Sequence, residues 1–261
     1  MSAALIETSG LTKRFGGLVA VNRLDLAVEA QAIHAVIGPN GSGKTTVLNL
    51  LSGMLAPSAG AVRFAGEPIE RQPPHLRVRR GMRRTFQNIR LFNELTVLEN
   101  VMLGQHSRAS TGFSSLFKTW SAQEKRLRRE ARATAQRLGI GHLVERPAGE
   151  LAYGTRRLVE IARALASAPK LLLLDEPSAG MNAREAEDLC RIIRGIREEG
   201  VTVLLVEHNL KVISRVATRV TAINFGEKIA EGSPSEVLSH KAVVEAYIGL
   251  TDAEPIKAQH A

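Results

Sequence analysis

Cysteine is almost absent from this chain of 261 residues, with Cys190 standing alone. A single thiol cannot close an intrachain disulfide, which fits a reducing compartment, and its ordinary role is that of a small buried apolar side chain. Cysteine and histidine show no zinc-ligand spacing. Aromatic residues make up only 4% against a hydrophobic total of 44%, so the core must be built mainly from Leu, Val, Ile and Ala. No apolar run approaches the ~18 residues that a membrane-spanning helix needs. The opening Met1-Ser2-Ala3-Ala4-Leu5-Ile6-Glu7 has no basic stretch leading into an apolar one, so no secretory signal is expected. Aromatic and basic residues do not alternate as in many RNA binders. No internal repeat is present.

What the chain has is positive charge, +9 overall, much of it in residues 77–84 and 125–137. Such an excess suits phosphate ligands, nucleic acid or an anionic membrane surface, and its plainest meaning is a solvated face. The length allows one large domain or two modest ones.

Strand-like and helix-like segments alternate. Short apolar segments open the chain as strands, the clearest being Ile33-His34-Ala35-Val36-Ile37. A Gly-rich turn and a helix over 45–51 follow, then a strand over 61–65 and a Pro-rich loop over 67–74. In the middle, Ser121-Ala122-Gln123-Glu124 has a capping-box pattern and starts a charged helix that Gly139 stops. A second helical region spans 151–166, and together these look like a helical insertion in an α/β core. Leu171-Leu172-Leu173-Leu174 then reads as a strand buried on both faces of a parallel sheet. Asn182 and Glu185 have cap spacing before a helix whose apolar stripe is Ala186, Leu189, Cys190, Ile193 and Ile196. A second buried strand spans 201–206, two short strands flank Gly226, and two short helices precede a loose tail. This alternation argues a parallel sheet with helices on its faces.

Gly38-Pro39-Asn40-Gly41-Ser42-Gly43-Lys44-Thr45 fits the pattern G-x-x-x-x-G-K-S/T. Phosphates need many donors at close range, and glycines let successive backbone N–H groups face inward. The helix that follows adds its positive N-terminal end. Lys44 has the reach for the outer phosphates, and the Thr45 hydroxyl can ligate Mg²⁺. An ordinary Gly-rich turn would give this pattern by chance about once per hundred such sequences at average Gly usage. The strand before it and helix after it weigh further against chance.

The buried strand at 171–174 ends in Asp175-Glu176. Carboxylates at a strand's carboxyl end face the crevice where open α/β sheets bind ligands. Asp175 could enter the Mg²⁺ shell, and Glu176 could act as general base toward water. Taken alone, a strand followed by a charged loop explains the pair equally well; the phosphate loop tips the balance. Gln87 and His208, taken alone, read as surface hydrogen-bonding residues.

The order of these elements resembles the ATP-binding cassette family, the nucleotide-binding subunits of ABC transporters, from about Leu5 to Gly249. The resemblance implies an α/β P-loop NTPase of ABC type: a mixed sheet core, an N-terminal antiparallel β part and a helical subdomain. It implies one ABC ATPase domain over 1–250, with core at 1–87 and 156–250, helical subdomain at about 88–155, and a flexible tail at 251–261. It casts Phe15 as the adenine-stacking aromatic, which the residues alone would place in the core. It casts Gln87, in Thr85-Phe86-Gln87-Asn88, as the Q-loop glutamine that touches Mg²⁺ or the attacking water and faces the transmembrane partner. His208, in Val206-Glu207-His208-Asn209, is similar to the switch histidine at the γ-phosphate. Leu151-Ala152-Tyr153-Gly154-Thr155 stands where the signature Leu-Ser-Gly-Gly-Gln is expected, and 178–182 matches the D-loop. The implied nucleotide contacts are Phe15, Gly38, Pro39, Asn40, Gly41, Ser42, Gly43, Lys44, Thr45 and Thr46, with Leu151, Ala152, Tyr153 and Gly154 acting from an opposing subunit. The implied Mg²⁺ ligands are Thr45, Gln87 and Asp175, and the implied catalytic set is Glu176, His208 and Gln87.

Three departures stand out: Ala152 replaces the signature serine, Thr155 the signature glutamine, and Asn182 the usual D-loop aspartate. With Glu94-Leu95-Thr96-Val97-Leu98-Glu99-Asn100-Val101, the insertion carrying Gly104-Gln105-His106 and the terminal Glu245-Ala246-Tyr247-Ile248-Gly249, they resemble the ATPases of branched-chain amino-acid uptake. ATPases for urea or amide uptake and for lipopolysaccharide export share parts of the pattern. The resemblance implies ATP and Mg²⁺, permease subunits, a second ATPase subunit, an indirectly engaged solute-binding protein and a place on the cytoplasmic face of the cell membrane. A soluble ABC ATPase acting on nucleic acid or ribosomes fits less well, because the chain has one phosphate loop and an insertion of ordinary size. A GTPase would need an Asn-Lys-x-Asp motif, which is absent.

Overall fold

The computed structural model of the chain describes residues 4–105 and 120–248. It opens with β1 (Ala4–Phe15), β2 (Leu18–Glu29), β3 (Ile33–Ile37) and helix α1 (Lys44–Ser52). Next come β4 (Ala59–Phe64), the two-residue β5 (Glu67–Pro68), α2 (Pro74–Arg79) and β6 (Met82–Arg84). Three helices follow: α3 (Val97–Gly104), α4 (Trp120–Arg137) and α5 (Tyr153–Leu165). The α/β alternation resumes with β7 (Leu171–Asp175), α6 (Ala183–Glu198), β8 (Thr202–Val206) and α7 (Leu210–Val216). Last come β9 (Arg219–Asn224), β10 (Glu227–Gly232), α8 (Pro234–Leu238) and α9 (Lys241–Ile248).

The chain divides into two compact units, one running to Arg71 and resuming at Val206, the other Gln72–Leu205. In the first unit, β2-β1-β4-β5 form an antiparallel sheet. β3 pairs in parallel with β9, which pairs antiparallel with β10. All five β3 residues are buried, as expected of an apolar run covered on both faces. Below them Ala35 and Ile37 pack with Ile213 of α7, Val220 and Ala222 of β9, Val237 of α8 and Val243 of α9.

The opening strands are longer than expected, at twelve residues each. Their pairing shifts register at several points, among them between Thr8 and Leu11 and between Lys13 and Arg14. Each bulge throws the period-two pattern out of phase, so the sequence shows short apolar fragments where one long hairpin exists.

In the second unit the strand order is β8-β7-β6, with β6 and β7 parallel. Every residue of β7 and β8 is buried. Helix α6 starts on the expected capping box: Asn182 accepts from the Arg184 and Glu185 amides, and Glu185 accepts from the Asn182 amide. It buries Leu189, Cys190, Ile193 and Ile196, one stripe at helical spacing. α3 packs against α4 and α5.

Several expectations are corrected. The Pro-rich segment 67–74 holds β5 and the first residue of α2, because a proline at a helix's first position loses only an N–H that would have no partner there. α4 already runs through Ser121, so that residue is not its cap. The basic stretch 77–84 is not simply a solvated face. Arg77 is 1% exposed and donates to the Gln72 carbonyl, and Arg84 pairs with Asp175. The stretch 125–137 does carry exposed side chains, with surface pairs such as Arg126–Glu130 and Arg128–Glu124, each worth little. Among the described residues no helix is long and apolar enough to cross a membrane. The expected tail, the His106 end of the insertion and Gly249 lie outside the described residues.

Candidate functional site

Residues 38–45 form the connection from β3 into α1. The turn is closed on itself. The Lys44 ammonium donates to the Gly38 and Pro39 carbonyls, both at 2.7 Å, and the Ser42 amide donates back to Pro39 at 3.2 Å. Two glycines are obligatory here. Gly38 has φ 155°, and a β-carbon on it would lie 2.1 Å from the Ile223 carbonyl oxygen; Gly43 has φ 105°, and its β-carbon would lie 2.5 Å from that of Ala20. Only a residue without a side chain lets the backbone pass so close to β2 and β9. The turn of β9 and β10 supports the loop from outside, the Gly226 amide donating to the Ser42 carbonyl at 2.9 Å.

The loop's chemistry suits an anion. α1 carries no acidic residue in its first turn, so no carboxylate of its own first turn offsets the positive end of the helix. The Ser42 hydroxyl is buried without a hydrogen-bond partner. The Thr45 side chain is exposed, available to an incoming group.

Phe15 and His208 lie in the same unit. Phe15 ends β1 with its ring 46% exposed under the Lys13 ammonium, 5.2 Å from the ring centre. The ring is therefore not part of the core. His208 follows β8 and is exposed. Its backbone is held by the buried Glu207, whose carboxylate accepts from the His208 and Asn209 amides at 3.0 and 3.1 Å. Asn209 in turn caps α7.

The second unit contains Gln87, the acid pair and 151–155. Asp175 ends β7 and is 2% exposed. Its Oδ2 accepts from Arg84 at 2.9 Å, while its Oδ1 is buried without a hydrogen-bond partner. One oxygen is thus held in orientation, and the other keeps its lone pairs uncommitted. Glu176 follows immediately with φ 45°. That left-handed conformation costs a non-glycine residue ~1–2 kcal/mol, and such strain concentrates where a side chain must be aimed.

Gln87 sits in the exposed turn after β6. An ion pair that local sequence does not reveal holds this turn. Arg157 and Glu160 of α5 are 0% and 1% exposed and 2.8 Å apart. Arg157 donates to the carbonyls of Phe86 and Gln87, both at 2.5 Å. Glu160 accepts from the Phe86 and Arg90 amides at 3.5 Å. Removing one member of a buried pair costs ~3–5 kcal/mol, so the Gln87 backbone is tied firmly to α5.

The same helix begins in the segment 151–155. Ala152 is its N-cap and makes no side-chain cap bond. Tyr153 is 44% exposed, and its hydroxyl meets Arg157 at 3.2 Å. A β-carbon on Gly180 would lie 3.2 Å from the Tyr153 ring, and one on Gly154 would lie 2.9 Å from the Glu185 carboxylate. The segment 151–155 therefore packs against the turn at Gly180 and the start of α6. Sequence reading misses Arg157, Glu160, Arg84 and Glu207. Only Glu207 has a local signal, as a buried acid next to His208.

Comparison with known proteins identifies the family. A family model described as "ABC transporter" matches residues 21–179, and one described as "Branched-chain amino acid ATP-binding cassette transporter" matches residues 227–252. The chain is 43% identical to the high-affinity branched-chain amino acid transport ATP-binding protein BraF of Pseudomonas aeruginosa, over 95% of this chain and 99% of that protein. It is 41% identical to LivG of Escherichia coli, a protein of the same description, over 95% and 99%. Among solved structures, the ADP conformation of MJ1267, an ATP-binding cassette of an ABC transporter, matches with TM-score 0.85 and 34% identity over 95% of this chain and 100% of that one. With likeness to such cassettes over nearly its whole length, the chain belongs to the ABC transporter family and is one of its ATP-hydrolysing subunits.

Proposed function

We propose that this subunit powers import of branched-chain amino acids, working with permease subunits on the cytoplasmic face of the cell membrane. The observation that carries the nucleotide part is the closed loop 38–45, with its lysine held over the loop carbonyls. The full-length likeness to BraF and LivG and the match over 227–252 support the solute class.

In this reading the amides and Lys44 of the loop, with Thr46, bind the phosphates, and Phe15 stacks on the adenine. Thr45, Gln87 and Asp175 would hold Mg²⁺. The partnerless Oδ1 of Asp175 fits that role. Bound there, Mg²⁺ would supply positive charge to the β- and γ-phosphate oxygens. Glu176 takes the proton from the water that attacks the γ-phosphorus in line, giving ADP and phosphate, while His208 and Gln87 orient γ-phosphate and water. Leu151, Ala152, Tyr153 and Gly154 complete the site of a second ATPase subunit, and ATP loss releases that closure. The core occupies 1–87 and 156–250 and the helical subdomain about 88–155. Supporting this division, the named elements described between residues 88 and 155 are all helical.

Deleting the gene in its host tests the solute. Uptake of labelled leucine, isoleucine and valine is expected to fall to background, to return with the wild-type chain, and not to return with Glu176→Gln. Unchanged uptake of all three, or loss of urea uptake instead, would overturn the branched-chain reading.

A further inference from the structure

Tyr247 reaches the phosphate loop from the far end of the chain. Its hydroxyl accepts a hydrogen bond from the Gly38 amide at 3.0 Å, across 209 residues of sequence. Gly38 is where the loop leaves β3, and its two backbone polar groups are both engaged. The amide goes to Tyr247, and the carbonyl accepts from Lys44 at 2.7 Å.

The geometry of the contact is fixed from both sides. The Tyr247 ring packs against the cluster that includes Ala35, Ile37, Val237 and Val243, so a seated ring delivers the hydroxyl. Around Gly38 the space is full: a β-carbon there would lie 2.6 Å from the Ser42 hydroxyl as well as 2.1 Å from the Ile223 carbonyl. The type of acceptor matters too. Burial pushes the phenol's pKa up, against a smaller opposite effect of the Gly38 bond, so the group is neutral at physiological pH. A carboxylate would anchor the same amide but would repel phosphates. A phenol anchors it without charge.

Tyr247 also lies outside the stretch 21–179 matched by the general family model and inside the stretch 227–252 matched by the branched-chain one. The loop therefore draws support from a segment beyond the general match.

We propose that Tyr247 is a positioning residue of the nucleotide site: it holds the first amide of the loop in place, so that docking of α9 and binding of nucleotide favour each other. The proposal rests on the reading of 38–45 as the phosphate loop. Linkage makes the effect reciprocal, so a nucleotide that orders the loop also strengthens the seating of α9.

Tyr247→Phe keeps the ring and removes only the oxygen. The full-length wild type, Tyr247→Phe and Lys44→Ala are compared, with ADP as the probe for binding by calorimetry and amide exchange at Gly38 followed by NMR. Tyr247→Phe is expected to bind ADP about fivefold more weakly, the scale of one neutral hydrogen bond. Its Gly38 amide exchanges faster, and its KM for ATP rises while kcat holds. Lys44→Ala loses ADP binding. Wild-type affinity and wild-type Gly38 exchange in Tyr247→Phe, with Lys44→Ala still defective, would overturn the proposal and leave the loop reading intact. If Lys44→Ala binds ADP as wild type does, the loop reading itself fails, and the proposal with it.

Discussion

One residue separates an ordinary strand end from a strained turn. Asp175 closes β7, and Glu176 turns the backbone to φ 45°. The pair Asp-Glu is visible in the sequence, but the strain is not, because it depends on where the chain must go next. His34 shows the same limit. It reads as one more residue of a buried strand, yet it is a buried titratable group whose Nε2 meets the Thr221 hydroxyl at 2.8 Å. Burial pulls its pKa from 6.5 to about 4, with Glu231 and Glu29 opposing and Arg219 and Lys228 assisting the shift. Because the folded value is depressed, the native state prefers neutral His34. The stabilisation is full above pH 6.5 and is lost as pH falls toward 4, on the order of 3 kcal/mol in all. Urea midpoints at about pH 7.5 and about pH 4.5 should therefore fall less in His34→Gln than in wild type. Equal falls in the two proteins would show that His34 does not carry this acid sensitivity.

At the scale of elements, local signals survive and long-range ones do not. The loop 38–45 and the capping box of α6 are legible because each pattern is written within eight residues or one helical turn, whereas the loop's outer supports, Gly226 and Tyr247, are far off in sequence. The run of four leucines is legible because a buried parallel strand needs no alternation. The hairpin of β1 and β2 is not, because bulges break its phase. The anchors of the site are not either: Arg84 meets Asp175 across 91 residues, and Arg157 meets the Gln87 carbonyl across 70. No spacing rule reaches that far. One departure in the sequence does acquire a physical meaning. Ala152, in place of the signature serine, is the N-cap of α5 and leaves the cap bond unmade. Ala152→Ser should stabilise the chain by ~1 kcal/mol, the usual value of a serine cap. It would appear as a higher urea midpoint with an unchanged slope. An unchanged or lower midpoint would mean that the serine does not reach the first free amides.

For the molecule as a whole, the net charge of +9 proves a poor guide. Arg77 and Arg84 are used internally, and part of α4 is matched by neighbouring acids. The order of short motifs is the better guide, because each stands where a strand or helix begins or ends. The likeness to BraF and LivG extends that order over nearly the full length. The motor reading turns on one proton transfer, and ATP turnover of Glu176→Gln, measured beside its ATP affinity, tests it most directly. Turnover is expected to fall by about 10²-fold or more, the usual contribution of a general base, while ATP affinity is retained. Turnover within a few fold of wild type would contradict the assignment of Glu176 as the base.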